Sequence, residues 1–415
     1  MSLPRGLRDY EPENYEKLEM IRSNFVRLSK IYNIRLMEPS TIELLETLQA
    51  KGGEDIVNEI YEFTDKGGRR LGLRFDLTVG ITRYVCARRD LPLPIKLGSF
   101  ASMWRYDEPQ FGRYRWFYQW DAEVYGDKSA ESYTDILSFT SRMLSDAGLR
   151  GVQIEISDRR IVEGILKSRI SKEEYIPELL RAMDKLGKKT KEQIITEYIA
   201  KGIDEESVKE ALQISQGGEK LLRESQDQST VLLENIIDEA KSVNLPLSVN
   251  LGIVRGLDYY SDIVFEAYSS EKREIGALAG GGGYDILTNI FKRPDLKALG
   301  VAGGTDRLLL ALDQAPKENS KITYVVCTAE TKKEAIKIVD QLRGAGICTE
   351  FSRADRLSDG LRQAEKRGAM VSVLVLPKEI REGKAKIKLM RDRSEELVSV
   401  GNLVEKVQAT LNSNK

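Results

Sequence analysis

The stretch Trp104 to Gly126, WRYDEPQFGRYRWFYQWDAEVYG, threads Arg105, Arg113 and Arg115 among the rings of Trp104, Tyr106, Phe111, Tyr114, Trp116, Phe117, Tyr118 and Trp120. Aromatic side chains at that density favour strand over helix. A strand, a turn around Pro109 to Gly112 and a second strand from Tyr114 to Val124 form a hairpin with guanidinium groups beside flat rings. A nucleotide triphosphate asks for that combination: arginines for the phosphate oxygens, an aromatic face for the base. An amphipathic hairpin with its rings in a core and its arginines in water would use the same letters. A second segment, Leu251 to Glu266 (LGIVRGLDYYSDIVFE), sets Arg255 and Asp258 at a tight turn between apolar runs, with Tyr259 and Tyr260 following.

The chain of 415 residues contains no histidine, which excludes imidazole general acid/base catalysis and histidine-ligated metals. Its chemistry must rest on positioning and charge. Cys86, Cys327 and Cys348 are far apart with no paired spacing, so neither a zinc site nor a disulfide framework is expected, and a reducing cytoplasm is the default location. Hydrophobic residues at 41% and charged residues at 31% are those of a soluble globular protein with two or three domains. No apolar run is long enough to span a bilayer, and the amino terminus lacks the apolar core of a signal peptide. The net charge of −1 is unevenly spread: from Pro316 onward 20 Lys and Arg face 14 Asp and Glu, a surplus of +6 against −7 elsewhere. A positive C-terminal part points to a polyanion, although solvated surface charge gives the same count.

The elements that must hold these residues can be read from spacing. Glu13 to Tyr32 has helical periodicity, and Ile34 to Met37 reads as strand before Pro39. Ile60 to Thr64 and Arg69 to Phe75 form a hairpin across DKGG, and LRFDLT then opens a helix through Cys86 with Asp76 and Thr78 at its start, where both are favoured caps. Further strands are expected at Ile95 to Trp104, Trp116 to Val124, Gln153 to Ile156, Ser248 to Ile253, Ile263 to Tyr268 and Ile275 to Ala279. The sheet should be largely antiparallel with helices on one side. Residues 158–245 change to a Lys/Glu/Leu/Ile texture and read as a helical insertion, so the first domain comprises 1–157 and 246–315. LAGGGGYD, Leu278 to Asp285, allows close backbone approach to a ligand, yet a flexible turn is the commoner meaning of such glycines. After a polar linker at Pro316 to Ser320, residues 321–415 alternate strands and helices as an α/β domain with a mostly parallel sheet and a mixed edge.

Taken together, these segments resemble the class II aminoacyl-tRNA synthetases and, within them, the histidyl-tRNA synthetase family. Arg105, Asp107, Gly112, Arg113, Tyr114, Arg115, Phe117, Gln119 and Glu123 follow the class's motif 2, and Val254 to Tyr260 matches the histidine-specific signature Val-Arg-Gly-Leu-Asp-Tyr-Tyr letter for letter. Leu299 to Leu312 looks like motif 3, with Arg307 at the head of its helix. The resemblance implies an α+β catalytic domain on a mainly antiparallel sheet, a helical insertion that helps clamp the acceptor end of tRNA, and a C-terminal anticodon-binding domain. It implies ATP-dependent ligation of histidine to its tRNA through an adenylate, with Mg²⁺ accompanying ATP and no resident metal. Motif 1, in the first helix and strand, implies a homodimer.

By the same resemblance Arg105 and Arg255 act at the carboxylate and α-phosphate, Arg113 and Arg307 on the outer phosphates, Phe117 stacks on adenine and the motif 3 arginine covers its far face. Asp107 stands where the family has Glu and could meet the adenine edge. Asp76, Thr78 and Gln119 surround the ammonium group, Glu123 and Tyr260 take the imidazole nitrogens, and Tyr259 lines the same wall. Gly283 stands where the family carries arginine in Gly-Gly-Arg-Tyr-Asp. A non-catalytic paralogue, the regulatory subunit of ATP phosphoribosyltransferase, is the alternative; it lacks the C-terminal domain that this chain has.

Overall fold

The computed structural model describes residues 2–50, 55–108, 112, 114–186, 189–224, 230–254, 260–312, 321–352 and 356–413. The chain divides into two compact units, Met1–Asp313 and Gln314–Lys415.

The first unit is built on eight strands: β1 (Arg35–Leu36), β5 (Ile95–Trp104), β6 (Trp116–Tyr125), β7 (Val152–Asp158), β8 (Leu247–Val249), β9 (Ile263–Ser269), β10 (Ala279–Gly283) and β11 (Ala298–Gly304), after β2 (Ile42–Leu44), β3 (Glu62–Thr64) and β4 (Arg70–Leu73) are set aside in a separate three-stranded sheet. Their order is β1-β5-β6-β11-β10-β9-β7-β8. Every pair from β5 to β7 is antiparallel, and only the outer pairs β1–β5 and β7–β8 are parallel. The expected mainly antiparallel sheet is therefore found, with β5 and β6 paired from Ile95↔Tyr125 to Trp104↔Trp116.

Helix Pro12–Ile31 starts with proline in its first turn and buries Leu18, Ile21, Phe25 and Leu28, three or four residues apart, before Asn33 turns the chain in the left-handed region at φ 54°. Ile21, Phe25 and Leu28 join Phe139 of helix Ala130–Asp146 against Trp120, Ala122 and Val124 of β6. Because successive strand residues point to opposite faces, Phe117, Gln119, Asp121, Glu123 and Tyr125 are turned to the other side of the sheet. There Phe117 and Tyr125 meet helix Leu77–Ala87 through Leu77, Ile81 and Val85. One strand thus faces a purely apolar core on one side and carries a polar row on the other.

Two strand expectations are corrected. Ile275 lies in a 3-10 turn, Arg273–Ile275, and the strand falls instead on AGGGG, Ala279–Gly283, in the middle of the sheet. Glycine hides a strand from propensity, but here the neighbours demand it: a Cβ on Gly281 would lie 2.1 Å from the Gly300 carbonyl and 2.6 Å from the Phe265 ring. The expected strand Ser248 to Ile253 stops at Val249, since the Asn250 side chain accepts from Gly252 N at 2.9 Å and its carbonyl from Ile253 N at 3.1 Å, closing a turn.

Between β7 and β8 the chain is helical, from Arg159–Arg169 to Thr230–Ser242, and its buried side chains continue the core that lies under the sheet. The second unit holds five strands, β12 (Thr323–Cys327), β13 (Thr349–Phe351), β14 (Val371–Val375), β15 (Lys384–Leu389) and β16 (Glu395–Ser399), in the order β13-β12-β14-β15-β16. Its first three strands are parallel and its last two antiparallel, as the alternating sequence predicts. β12 is buried on both faces, Val325 and Cys327 in one cluster and Tyr324 and Val326 in the other.

Candidate active site

A cleft of about 290 Å³ opens on the polar face of the sheet. Asp76, Arg105, Asp107, Phe117, Gln119, Tyr260 and Arg307 line it, over a floor that includes Gly280, Ala302 and Gly304. Residues spread over 232 positions of sequence are brought together because β6, β10 and β11 are neighbours in the sheet. Arg113, Arg255 and Tyr259 lie outside the described residues, as does the hairpin turn at 109–111.

Arg105 follows β5 directly. Its Nε donates to the Phe75 carbonyl at 3.0 Å, its Nη2 lies 3.5 Å from Gln119 Oε1, and its guanidinium carbon stands 5.2 Å from the centre of the Phe117 ring. A flat cation held against a flat ring is a preorganised place for an anion beside an aromatic base. Arg307 sits in the first turn of helix Thr305–Ala311 and donates to the Ala277 carbonyl at 3.1 Å. Arg115, from the same aromatic stretch, is employed differently: it is buried against the Tyr106 ring at 4.0 Å and donates to the Asp107 carbonyl at 2.9 Å. It shapes the loop and does not line the cleft.

Beneath the cleft runs a buried polar row that the β6 alternation creates. Gln119 Nε2 donates to Asp121 Oδ1 at 2.8 Å; Thr78 Oγ1 lies 2.8 Å from Glu123 Oε1 and 3.1 Å from Asp121 Oδ2; the Tyr284 hydroxyl donates to Glu123 Oε2 at 2.6 Å. Asp76 caps helix Leu77–Ala87 by accepting from Val79 N at 3.1 Å while also lining the cleft, so cap and candidate ligand coincide. Thr78, in the first turn of that helix, points its hydroxyl into the row. Burial, and then the neighbouring Asp121, push the Glu123 carboxyl well above the usual carboxylate range. A positive or strongly donating group placed here would relieve both causes.

Glycine is required where this row meets the sheet. Glu123 is opposite Gly300, which pairs with Gly282. A Cβ on Gly300 would lie 1.5 Å from Glu123 Oε2, and one on Gly282 would lie 3.0 Å from the Tyr260 ring. The glycines leave room for the Glu123 and Tyr260 side chains rather than forming a flexible turn. Asp121, Tyr284 and Tyr125, whose hydroxyl is 2.8 Å from Thr82 Oγ1, were missed by the sequence reading. The signal for Asp121 was present, since Gln119, Asp121 and Glu123 alternate with apolar residues in one strand.

A family model described as histidyl-tRNA synthetase matches residues 6–308, and one for an anticodon binding domain matches residues 319–410. The chain belongs to the histidyl-tRNA synthetase family. The histidine–tRNA ligase of Pyrobaculum calidifontis is 33% identical over 403 residues, covering 94% of each chain, and that of Pyrococcus furiosus is 31% identical over 421 residues, covering 97% of each. Among solved structures, the histidyl-tRNA synthetase from Nostoc sp. PCC 7120 matches with a TM-score of 0.84 at 22% identity, covering 98% of this chain and 99% of that one. A Bacillus halodurans protein described as an ATP phosphoribosyltransferase regulatory subunit/histidyl-tRNA synthetase matches with a TM-score of 0.75 at 21% identity, covering 90% and 98%. At such identities these structures show the fold alone.

Against the family's pattern, the glycine at 283 has a local cause. A Cβ there would lie 2.1 Å from Asp262 Oδ1, 2.5 Å from the Tyr133 hydroxyl and 2.8 Å from Lys128 Nζ. Lys128 fills that space, paired with Asp262 and, at 3.0 Å, with Asp285. Lys128, three residues beyond β6, thus occupies the space into which a side chain at position 283 would project.

Proposed function

We propose that the protein ligates histidine to its tRNA at the expense of ATP, by way of a histidyl-adenylate. The observation that carries this reading is the meeting of a cleft with an arginine-and-ring surface (Arg105, Phe117, Arg307) and a buried row of carboxyl groups: Asp76 lies in the cleft wall, and Asp121 and Glu123 continue beneath it from Gln119. The first suits a nucleotide polyphosphate. The second suits an amino acid that offers two donors, an ammonium group and an imidazole ring.

In the first step a carboxylate oxygen of histidine attacks the α-phosphorus of ATP; that P–O bond forms as the bond to the bridging oxygen of pyrophosphate breaks. The nucleophile is already ionised, so no protein base is needed, in keeping with a chain that has no histidine. The obstacle is charge, since an anion approaches a polyanion. Arg105 and Arg255 are assigned to the carboxylate and α-phosphate, Arg113 and Arg307 to the outer phosphates, and Phe117 to adenine, with Asp107 at the adenine edge. Asp76, Thr78 and Gln119 hold the ammonium group. Glu123 and Tyr260 take the ring nitrogens, with Tyr259 beside them, and a pocket of this kind rejects ligands that leave its polar groups unpaired. Mg²⁺ enters with ATP, liganded chiefly by phosphate oxygens. In the second step the terminal ribose hydroxyl of tRNA attacks the carbonyl carbon, AMP leaves, and a phosphate oxygen of the substrate accepts the proton.

The unit Gln314–Lys415, with its positive surplus, is assigned to the anticodon, and the helices between β7 and β8, residues 158–245, to the acceptor end. A homodimer through helix Pro12–Ile31 and β1, and a cytoplasmic location, complete the proposal; among the described residues no helix is long and apolar enough to cross a membrane. The regulatory-paralogue reading would leave the arginine surface and the anticodon-binding unit without a task.

Incubation of the full chain with total tRNA, ATP, Mg²⁺ and all standard amino acids, followed by mass analysis of the esterified 3′ ends, should find histidine and no other amino acid. Ester of another amino acid, or none at all, would reject the ligase reading.

A further inference from the structure

The segment Pro4–Tyr10 packs against Tyr114 and Asp306, two residues of the cleft wall, and is tied down at three levels. Its backbone is held by Arg115, whose N donates to the Gly6 carbonyl at 2.9 Å and whose Nη1 reaches the Arg5 carbonyl at 3.3 Å. The Tyr10 ring meets Trp116 and Tyr118 edge-on at 5.4 and 5.9 Å. Between these, the Arg8 guanidinium lies 3.8 Å from the centre of the Tyr114 ring and 4.4 Å from that of Tyr10. Its Nη2 donates to Asp306 Oδ1 at 2.5 Å, and the Tyr10 hydroxyl donates to the same oxygen at 3.2 Å.

Asp306 is the residue before Arg307, is only 6% exposed and lines the cleft, as does Tyr114. A buried carboxylate in the wall of a site meant for phosphates is unfavourable twice, through its own lost hydration and through repulsion of the ligand. Burial pushes this carboxyl up to about 6, against the opposing pull of Arg8.

We propose that Arg8 is a positioning residue for the nucleotide: through the Asp306 carboxylate and the rings of Tyr10 and Tyr114 it neutralises the acid next to Arg307 and fixes the β6 side of the cleft to the helix that carries Arg307. This rests on the nucleotide half of the proposed function. It assigns a task to a segment that neither the arginine-and-ring hairpin nor the carboxyl row uses. Removal of Arg8 leaves the acid with no cation to offset it, and at alkaline pH, where it stays ionised even without Arg8, the damage should be electrostatic and confined to ATP. Removal of that carboxylate as well should undo it.

The test is equilibrium dialysis of ATP with Mg²⁺ on the full chain at alkaline pH, with the melting temperature taken on each preparation and the KM for histidine taken from pyrophosphate exchange. Arg8→Met should raise the Kd for ATP by about tenfold, while the KM for histidine moves less than about twofold. The double substitution Arg8→Met with Asp306→Asn should return the Kd to within about threefold of wild type. Asp306→Asn alone should bind ATP at least as well as wild type, which keeps the test open where Arg8→Met folds poorly. An unchanged ATP Kd in folded Arg8→Met, no recovery in the double variant, or tenfold weaker binding by Asp306→Asn would overturn the proposal. Since ATP binding needs no amino acid, a chain that binds ATP in this pattern but shows no histidine-dependent exchange would end the ligase reading and uphold the assignment of Arg8.

Discussion

Arg105→Ala is expected to slow adenylate formation by at least about a hundredfold, with ATP and histidine binding weakened far less. The guanidinium is already held in place by the Phe75 carbonyl and the Phe117 ring, so it meets the reacting groups without reorganisation. A donor fixed where negative charge develops is worth more in the transition state than in the ground state, and the loss of one such donor typically costs two to three powers of ten. Arg105→Lys should restore part of the rate at most, because an ammonium group cannot reproduce the planar fork that spans carbonyl, amide and anion. If Arg105 only anchors the end of β5, the variant should melt earlier and turn over at a near-normal rate. Single-turnover rates and melting temperatures from the same preparations separate the two, and an undiminished rate in a folded, substrate-binding variant would remove Arg105 from the mechanism.

Gly300→Ala is expected to lower kcat/KM for histidine by a hundredfold or more, although the residue adds only a methyl group and has no chemistry of its own. The added carbon would lie 1.5 Å from Glu123 Oε2, so the carboxyl must leave the seat given to it by Thr78 and Tyr284. Backbone on the neighbouring strand leaves little room for another accommodation, since the Ala122 carbonyl would be 2.9 Å away. A displaced, buried carboxyl loses both of its donors and no longer presents an acceptor to the ring. Gly344→Ala is the control, because that residue ends a helix of the second unit and nothing lies within 4 Å of a Cβ there. Steady-state kinetics on both variants decide the matter. Equal and small effects would show that Glu123 is not held for substrate.

How much of this was legible in the sequence depends on the range of the interaction. The β5–β6 hairpin was readable because strand alternation and aromatic density are local, and the observed strands match the expected ones to within two residues. The cap at Asp76 was readable for the same reason. The glycine strand β10 was not, because what requires glycine at 281, 282 and 300 is the neighbouring strand and the Tyr260 and Glu123 side chains, none of which is close in sequence. The pairing of Arg8 with Asp306 joins the two ends of the first unit across 298 residues, so no periodicity could announce it. The part played by Asp121 shows the intermediate case. Its alternation with Gln119 and Glu123 placed it on their face, but only the sheet shows that Thr78 joins it to Glu123.

The central claim is that one cleft activates one amino acid, and amino-acid-dependent exchange of labelled pyrophosphate into ATP measures that activation without tRNA. With each standard amino acid supplied in turn to the full chain and Mg²⁺, exchange is predicted with histidine alone. Exchange driven by a different amino acid, or by none, would contradict the account.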